Sequence, residues 1–263
     1  MSYLYETHLH TCYASACAIS RGRDYIKPYK ALGYTGIMVT DHFYNGNSNL
    51  SRNLTWDAWV HCFCRGYEEA REAGEHYGLQ VYFGWEETFD GDDYLVYGLD
   101  KAWLLKHPEA AHWTRREQYE TVRHYGGCVV QAHPFRQRYY IDTIHLATGC
   151  VDAVEAGNAG NAEASDDALA MRYAQKLGLP VTAGTDLHDV QDLTADLPFG
   201  VYLDTKLRGI EDYVAAIREN TLGNLRIPAG RCDFQGTETV KLPVDIRDGD
   251  DRSTGQSLGD LLV

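Results

Sequence analysis

Two short stretches of this 263-residue chain place donor side chains one residue apart: His8 and His10 in "ETHLHT", and Asp186 and His188 in "AGTDLHD". Residues i and i+2 of a strand point to the same face, so each pair can aim two donors at one point. Imidazole and carboxylate groups that converge in this way are metal-ligand chemistry. One pair is a weak signal in a chain with 11 histidines, but two pairs, each after an apolar run, are harder to dismiss. Other apolar runs end in the same manner: "VTDHF" with Asp41 and His42, "GWEETFD" with Glu86, "VVQAHPFR" with His133, and "VEAGN" with Asn158. Solvated polar residues would be scattered, not concentrated after strands. Asp41 and His42 could cap the following loop or ligate. A partly buried carboxylate at Glu86 needs a metal or an arginine as partner, and Glu87 should point the other way. His61, His76, His107, His112, His124 and His145 lack convergent partners and read as surface or packing residues.

The elements that must position these groups follow from hydrophobic periodicity. Strands are expected at Leu4 to His8, Gly36 to Thr40, Leu79 to Trp85, Tyr94 to Tyr97, Cys128 to Ala132, Val151 to Glu155, Pro180 to Gly184 and Phe199 to Leu203. Helices are expected at Arg23 to Leu32, Trp56 to Tyr77, Arg115 to Tyr125, Ala162 to Leu177 and Ile210 to Glu219. Several of them end before a glycine, as in "HYGLQV" and "KLGLPV", where a left-handed cap turns the chain into the next strand. Repeated strand–helix–strand units imply a parallel sheet or barrel, with chemistry at the C-terminal ends of the strands. Trp56, Trp59, Val60, Phe63 and Tyr67 have helical spacing and read as a core face. "FYNGNSNLSRNLTW" reads as a polar rim or lid, and residues 225–263 as an extension that packs on the 1–224 domain or is partly disordered.

Composition narrows the function. A chain of this length with 44% hydrophobic residues can bury one substantial core. No stretch approaches the ~18 apolar residues of a membrane span, and the N-terminus lacks a basic leader, so a cytoplasmic protein without a membrane partner is expected. Seven cysteines without Cys-x-x-Cys spacing argue against a disulfide framework and a structural zinc knuckle. The formal net charge of -14 disfavours long nucleic acid as a partner. It also means that an anionic substrate needs local cations. Oligomeric state stays open.

In order, His8-x-His10, Thr40-Asp41-His42, Gly84-x-Glu86, Ala132-His133-Pro134-Phe135-Arg136, Glu155-x-x-Asn158 and Gly184-Thr185-Asp186-x-His188 resemble the motifs of the PHP family, the polymerase and histidinol-phosphatase domain proteins, over roughly residues 4–204. The resemblance implies a distorted (β/α)7 TIM-like barrel with two or three divalent metal ions (Zn, Mn or Fe) at its C-terminal mouth. It implies that His8, His10, Glu86 and Asp186 hold one metal, that Glu86 bridges to a second held by His133, and that His42 and His188, beside Asp41, serve a third. Where the family commonly has a further ligand, this chain has Ser15, Ala16 and Cys17, which predicts a weak third position; Asp93 could substitute as an oxygen ligand and Cys17 could hold a softer metal. The implied activity is hydrolysis of a small phosphate ester by a metal-bridging hydroxide, with Glu86, Asp186, His188 and Arg136 catalytic and Arg136 and Asn158 contacting substrate. A nuclease or nucleotidase, and an inactive metal-binding regulatory module, are the alternatives.

Overall fold

The computed structural model describes residues 2–197 and 199–262. Its centre is a mixed sheet rolled into a nearly closed barrel. Tyr3–Glu6 (β1), Gly36–Val39 (β2) and Gln80–Phe89 (β3) run parallel, with Tyr5 opposite Gly36 and Ile37 opposite Val81. All four residues of β2 are buried, the signature of a strand covered on both faces. Asp92–Tyr97 (β4) then runs antiparallel between β3 and Cys128–Gln131 (β5). This departs from an all-parallel barrel, and the reason is local. The two residues between β3 and β4 are Asp90 and Gly91, both at positive φ (55° and 93°), and such a turn matches the twist of a tight hairpin. Past β5, Ala153–Asn158 (β7) and Val181–Gly184 (β8) resume the parallel order, while Gly200–Leu203 (β9) and Leu225–Arg226 (β10) add antiparallel strands beside β1.

Closure occurs at the mouth. Leu9 and Leu187 form a parallel bridge, with Asp186 N–H donating to His8 O (2.8 Å) and His10 N–H to Leu187 O (3.0 Å). The segments carrying the two donor pairs thus join β8, at one end of the sheet, to β1. The expected helix over Trp56 to Tyr77 is two, Trp56–Phe63 (α2) and Arg65–Tyr77 (α3), separated at Cys64. Trp59 and Phe63 of α2 pack with Phe43 and Trp85 in one core cluster. Thr55 caps α2, and Gly78 at φ 73° ends α3. Arg115–His124 (α5) starts on a reciprocal Thr114–Glu117 cap, and Ala164–Leu177 (α6) ends at Gly178, φ 66°.

Periodicity did not reveal Ile144–Ala147 (β6), which pairs in parallel with Val244–Arg247 (β11) of the C-terminal segment. Ile246 and Leu262 of that segment are buried against Phe135, Leu169 and Tyr173. On β6 lies His145, expected to be a surface or packing residue; it is buried, with Nδ1 2.6 Å from Asp92 Oδ2. No helix among the described residues is long and apolar enough to cross a membrane.

Candidate metal centre

Eight side chains meet at the mouth: His8 and His10 after β1, His42 after β2, Glu86 on β3, Asp93 on β4, His133 after β5, and Asp186 and His188 after β8. Close approach of the backbone makes this possible. A Cβ on Gly184 would lie 2.5 Å from His8 Cβ, so only glycine lets β8 pass the His8 ring. His133 and Asp186 hold left-handed backbone conformations (φ 28° and 53°), which residues other than glycine adopt uncommonly.

Three of the five histidines are oriented from behind. His8 Nδ1–H donates to Glu155 (3.0 Å to Oε1), so Nε2 faces the centre. Glu155 also accepts from His133 N–H and Asn158 Nδ2 (3.2 and 2.8 Å). His10 Nδ1 lies 3.0 Å from Ser15 Oγ, whose hydroxyl donates to Asp41 (2.7 Å). Ser15 must therefore accept from the imidazole, which again leaves Nε2 facing inward. His188 Nδ1–H donates to the Asp186 carbonyl (2.7 Å).

The inward atoms crowd together. His8 Nε2 lies 3.1 Å from His10 Nε2, 3.1 Å from Glu86 Oε1 and 3.4 Å from Asp186 Oδ1. From His10 Nε2 it is 3.4 Å to Glu86 Oε2 and 3.1 Å to Asp186 Oδ1. Four donors tetrahedrally disposed about an ion at ~2.0–2.1 Å are separated by about 3.3 Å, so this spacing suits a shared cation. His42 Nδ1 approaches Glu86 Oε2 to 2.7 Å, yet neither buried atom makes a hydrogen bond. The distance is right and the angle wrong, as expected of two atoms aimed at a third body. Besides the His8–His10–Glu86 group, ligand atoms gather within 4.8 Å of one another in His8–His133–Asp186, Glu86–Asp93–His133 and His10–His42–His188.

The charges reinforce this arrangement. Burial opposes charge on Glu86, yet His8 and His42 hold its carboxyl well below the usual range. Burial likewise opposes charge on Asp186, and His8 and Arg136 overcome it. The imidazole of His8 is raised well above its ordinary value, because Glu155, Asp186 and Glu86 outweigh burial, whereas burial together with His42 and His188 drives His10 well below. Asp93 is pushed up to about 6 by burial and by Glu86.

Three expected roles differ from the geometry. Asp41 lies outside the donor groups: Oδ1 accepts from Thr11 N–H and Ser15, Oδ2 from the Thr11 hydroxyl, and so it braces His10 through Ser15. Asn158 bonds Glu155 and Arg136 from behind the centre. Arg136 lines the mouth, but protein groups hold its guanidinium. It is largely buried, with Nη2 2.7 Å from Asp186 Oδ2 and 2.8 Å from Asn158 Oδ1, and Nε 2.9 Å from Asn161 Oδ1. Cys17 shares the pocket wall with His42 and His188 but belongs to none of the four donor groups. Sequence reasoning gave no positioning role to Ser15 or Glu155 and did not single out Glu6, which accepts from His8 N–H, Thr185 N–H and Tyr29. A charged residue inside an apolar run, Glu6 in "YLYE" and Glu155 in "DAVEAG", was the available signal.

Above the cluster opens a pocket of about 620 Å³ whose wall includes Asn45, Asn47, Thr88, Arg136, Arg138 and Tyr140. Asn45 and Asn47 come from the polar segment after β2, which hydrogen bonds from Ala16 N–H to Asn47 O and from Asn49 N–H to Ala14 O tie down as a rim.

No protein-family model matches the sequence, and no curated protein is similar to it at a significant level. Solved structures are similar in fold. A two-domain protein from Bacteroides vulgatus ATCC 8482, containing a predicted PHP-like metal-dependent phosphoesterase, superposes with a TM-score of 0.58 at 14% identity. That match covers 83% of this chain and 64% of the other, so the chain spans less than two thirds of that protein's length. PsfC from Pseudomonas syringae PB-5123 superposes with a TM-score of 0.54 at 13% identity, covering 88% of this chain and 93% of PsfC. With its nearly closed mixed barrel and its donors gathered at the strand ends, this chain has the fold of the PHP-like proteins.

Proposed function

We propose that this chain is a metal-dependent hydrolase, and more narrowly a phosphoesterase acting on a small phosphorylated molecule. The observation that carries the first step is the set of 3.1–3.4 Å separations among His8, His10, Glu86 and Asp186. Those four residues would hold one ion; Glu86, Asp93 and His133 would hold a second, and His10, His42 and His188 face a third position. Divalent ions bound there would lower the pKa of water toward neutrality and draw charge from phosphoryl oxygens.

The narrower step rests on Arg136. Asp186, Asn158 and Asn161 fix its guanidinium beside the donor cluster on the pocket wall through Nε and Nη2, which leaves Nη1 to donate to an anionic oxygen. In a chain of net charge -14, that cation supplies the local attraction an anion requires. Asp186 faces His8, His10 and Arg136 together, so it couples the orientation of the substrate clamp to that of the ligands. The same acidity, and the pocket's limited volume, disfavour a nuclease of long nucleic acid.

Elemental analysis of the purified protein, combined with a screen of phosphorylated metabolites, tests both steps. Two or more transition-metal ions per chain are expected, lost in the His8→Ala/His10→Ala double variant together with phosphate release. Equal metal content before and after that change would refute the ligand assignment. Metal-loaded protein that releases no phosphate from any ester would point to the inactive regulatory module.

A further inference from the structure

The pocket is far larger than a phosphoryl group requires, and its volume falls in the ~300–1,000 Å³ range of small-molecule sites. Its extra space must receive the rest of the substrate. Two tyrosines mark where. Tyr139 and Tyr140 line the pocket, Tyr139 98% and Tyr140 57% exposed, and no other phenyl, phenol or indole ring lines it among the described residues.

They occupy the centre of a turn closed by Ile141 N–H donating to Arg138 O (3.0 Å). Such central positions usually take Pro, Asp, Asn, Gly or Ser, and neither tyrosine is needed to form the turn. The turn is also fixed at both ends. Phe135 and Ile141 are buried in the core, Arg138 Nη2 donates to Gly160 O (2.7 Å), and Gln137 Oε1 accepts from Lys241 N–H (2.8 Å). The ring centroids lie 5.3 Å apart and the rings are nearly perpendicular, so their faces point in different directions. The anion clamp Arg136 lies three residues before Tyr139 in the chain and lines the same pocket.

We infer that the Tyr139–Tyr140 turn is the leaving-group subsite, and that the substrate is a phosphate ester whose alcohol carries a planar aromatic ring. This rests on the phosphoesterase reading. A flat π-face stacks against a phenol at little entropic cost, while Arg136 takes the phosphoryl oxygens. Saturated leaving groups would gain apolar burial against the tyrosines but no ring stacking.

The test compares two esters of like size, benzyl phosphate and cyclohexylmethyl phosphate, on the metal-loaded full chain. Wild type should favour benzyl phosphate by about tenfold in kcat/KM. Tyr139→Ala/Tyr140→Ala should bring the ratio near one, and Tyr139→Phe/Tyr140→Phe should keep it, because the ring and not the hydroxyl is used. Equal rates in wild type, a ratio that survives in the alanine variant, or one lost in the phenylalanine variant would overturn the subsite. Calorimetry with benzylphosphonate and cyclohexylmethylphosphonate separates this inference from the underlying reading. If neither ester is hydrolysed but benzylphosphonate binds about tenfold tighter, the ester chemistry fails and the ring subsite stands. Equal binding there, with no hydrolysis, refutes both.

Discussion

Glu155 touches no inward-facing donor directly, yet it decides which nitrogen of His8 points to the centre. Glu155→Gln keeps an acceptor for Nδ1–H but removes the charge, and should weaken metal binding by about tenfold or more. A competition titration against a chelator measures this, and unchanged affinity would show that the charge is immaterial. Glu87, next to the donor Glu86, behaves differently because it faces away. Its Oε1 accepts from Asn45 and Thr88 N–H (both 2.9 Å), Oε2 has no partner, and burial pushes its carboxyl up to about 8. The folded state therefore holds a proton that the unfolded chain, near 4.5, has released. Its contribution to stability is full below pH 4.5 and is lost as pH rises toward 8. Glu87→Gln should match the parent in denaturant near pH 4.5 and exceed it above pH 8, by on the order of a few kcal/mol. Parallel stability curves for the two proteins across that interval would exclude the assignment.

Element packing behind the centre is as tight as the centre itself. Gly66, the second residue of α3, lies where an added Cβ would come within 2.0 Å of Thr11 Oγ1 and 3.0 Å of Asp41 Oδ2. Thr11 holds Asp41, Asp41 holds Ser15, and Ser15 holds His10. Replacing glycine by alanine inside a helix ordinarily stabilises by roughly 0.5–1 kcal/mol. Here Gly66→Ala should instead destabilise by about 1–3 kcal/mol through overpacking and should lower metal content along with Tm. A variant more stable than the parent would mean that helix and mouth are not coupled. At this scale the sequence was partly legible. Glycine stops and apolar runs located most strands, but the Asp90-Gly91 hairpin turn was visible in the letters and went unread, and β6 and β11 carry too short a pattern to be recognised before their partner is known.

Across the whole molecule, the C-terminal segment is fastened to the barrel by charge as well as by β11. Arg115 on α5 is buried, stacks on Phe89 and Tyr94, and pairs through Nη1 with Asp251. Asp251→Asn keeps the residue's left-handed backbone (φ 56°) tolerable but removes the charge opposite a buried guanidinium. A loss of roughly 2 kcal/mol is expected, with metal content unchanged. An unaltered thermal midpoint would show that Asp90 alone satisfies Arg115. The amino-acid sequence by itself showed an alternating strand–helix pattern and which His, Asp and Glu residues follow its apolar runs; the barrel and the ligand assignment came from the resemblance to the PHP family. Only the folded chain decided which carboxylates face the centre. Asp41 and Glu86 look alike in sequence, each an acid after a strand, but Thr11 and Ser15 capture Asp41 while Glu86 is left with His8, His10 and His42. Arg136, likewise, is a substrate contact by resemblance alone until the fold supplies its partners, since Asn158, Asn161 and Asp186 come from segments more than twenty residues away. Residue type and spacing report which groups are present near a strand end; which of them keeps its lone pairs for a ligand depends on hydrogen-bond partners that are distant in sequence, and those exist only once the barrel has closed.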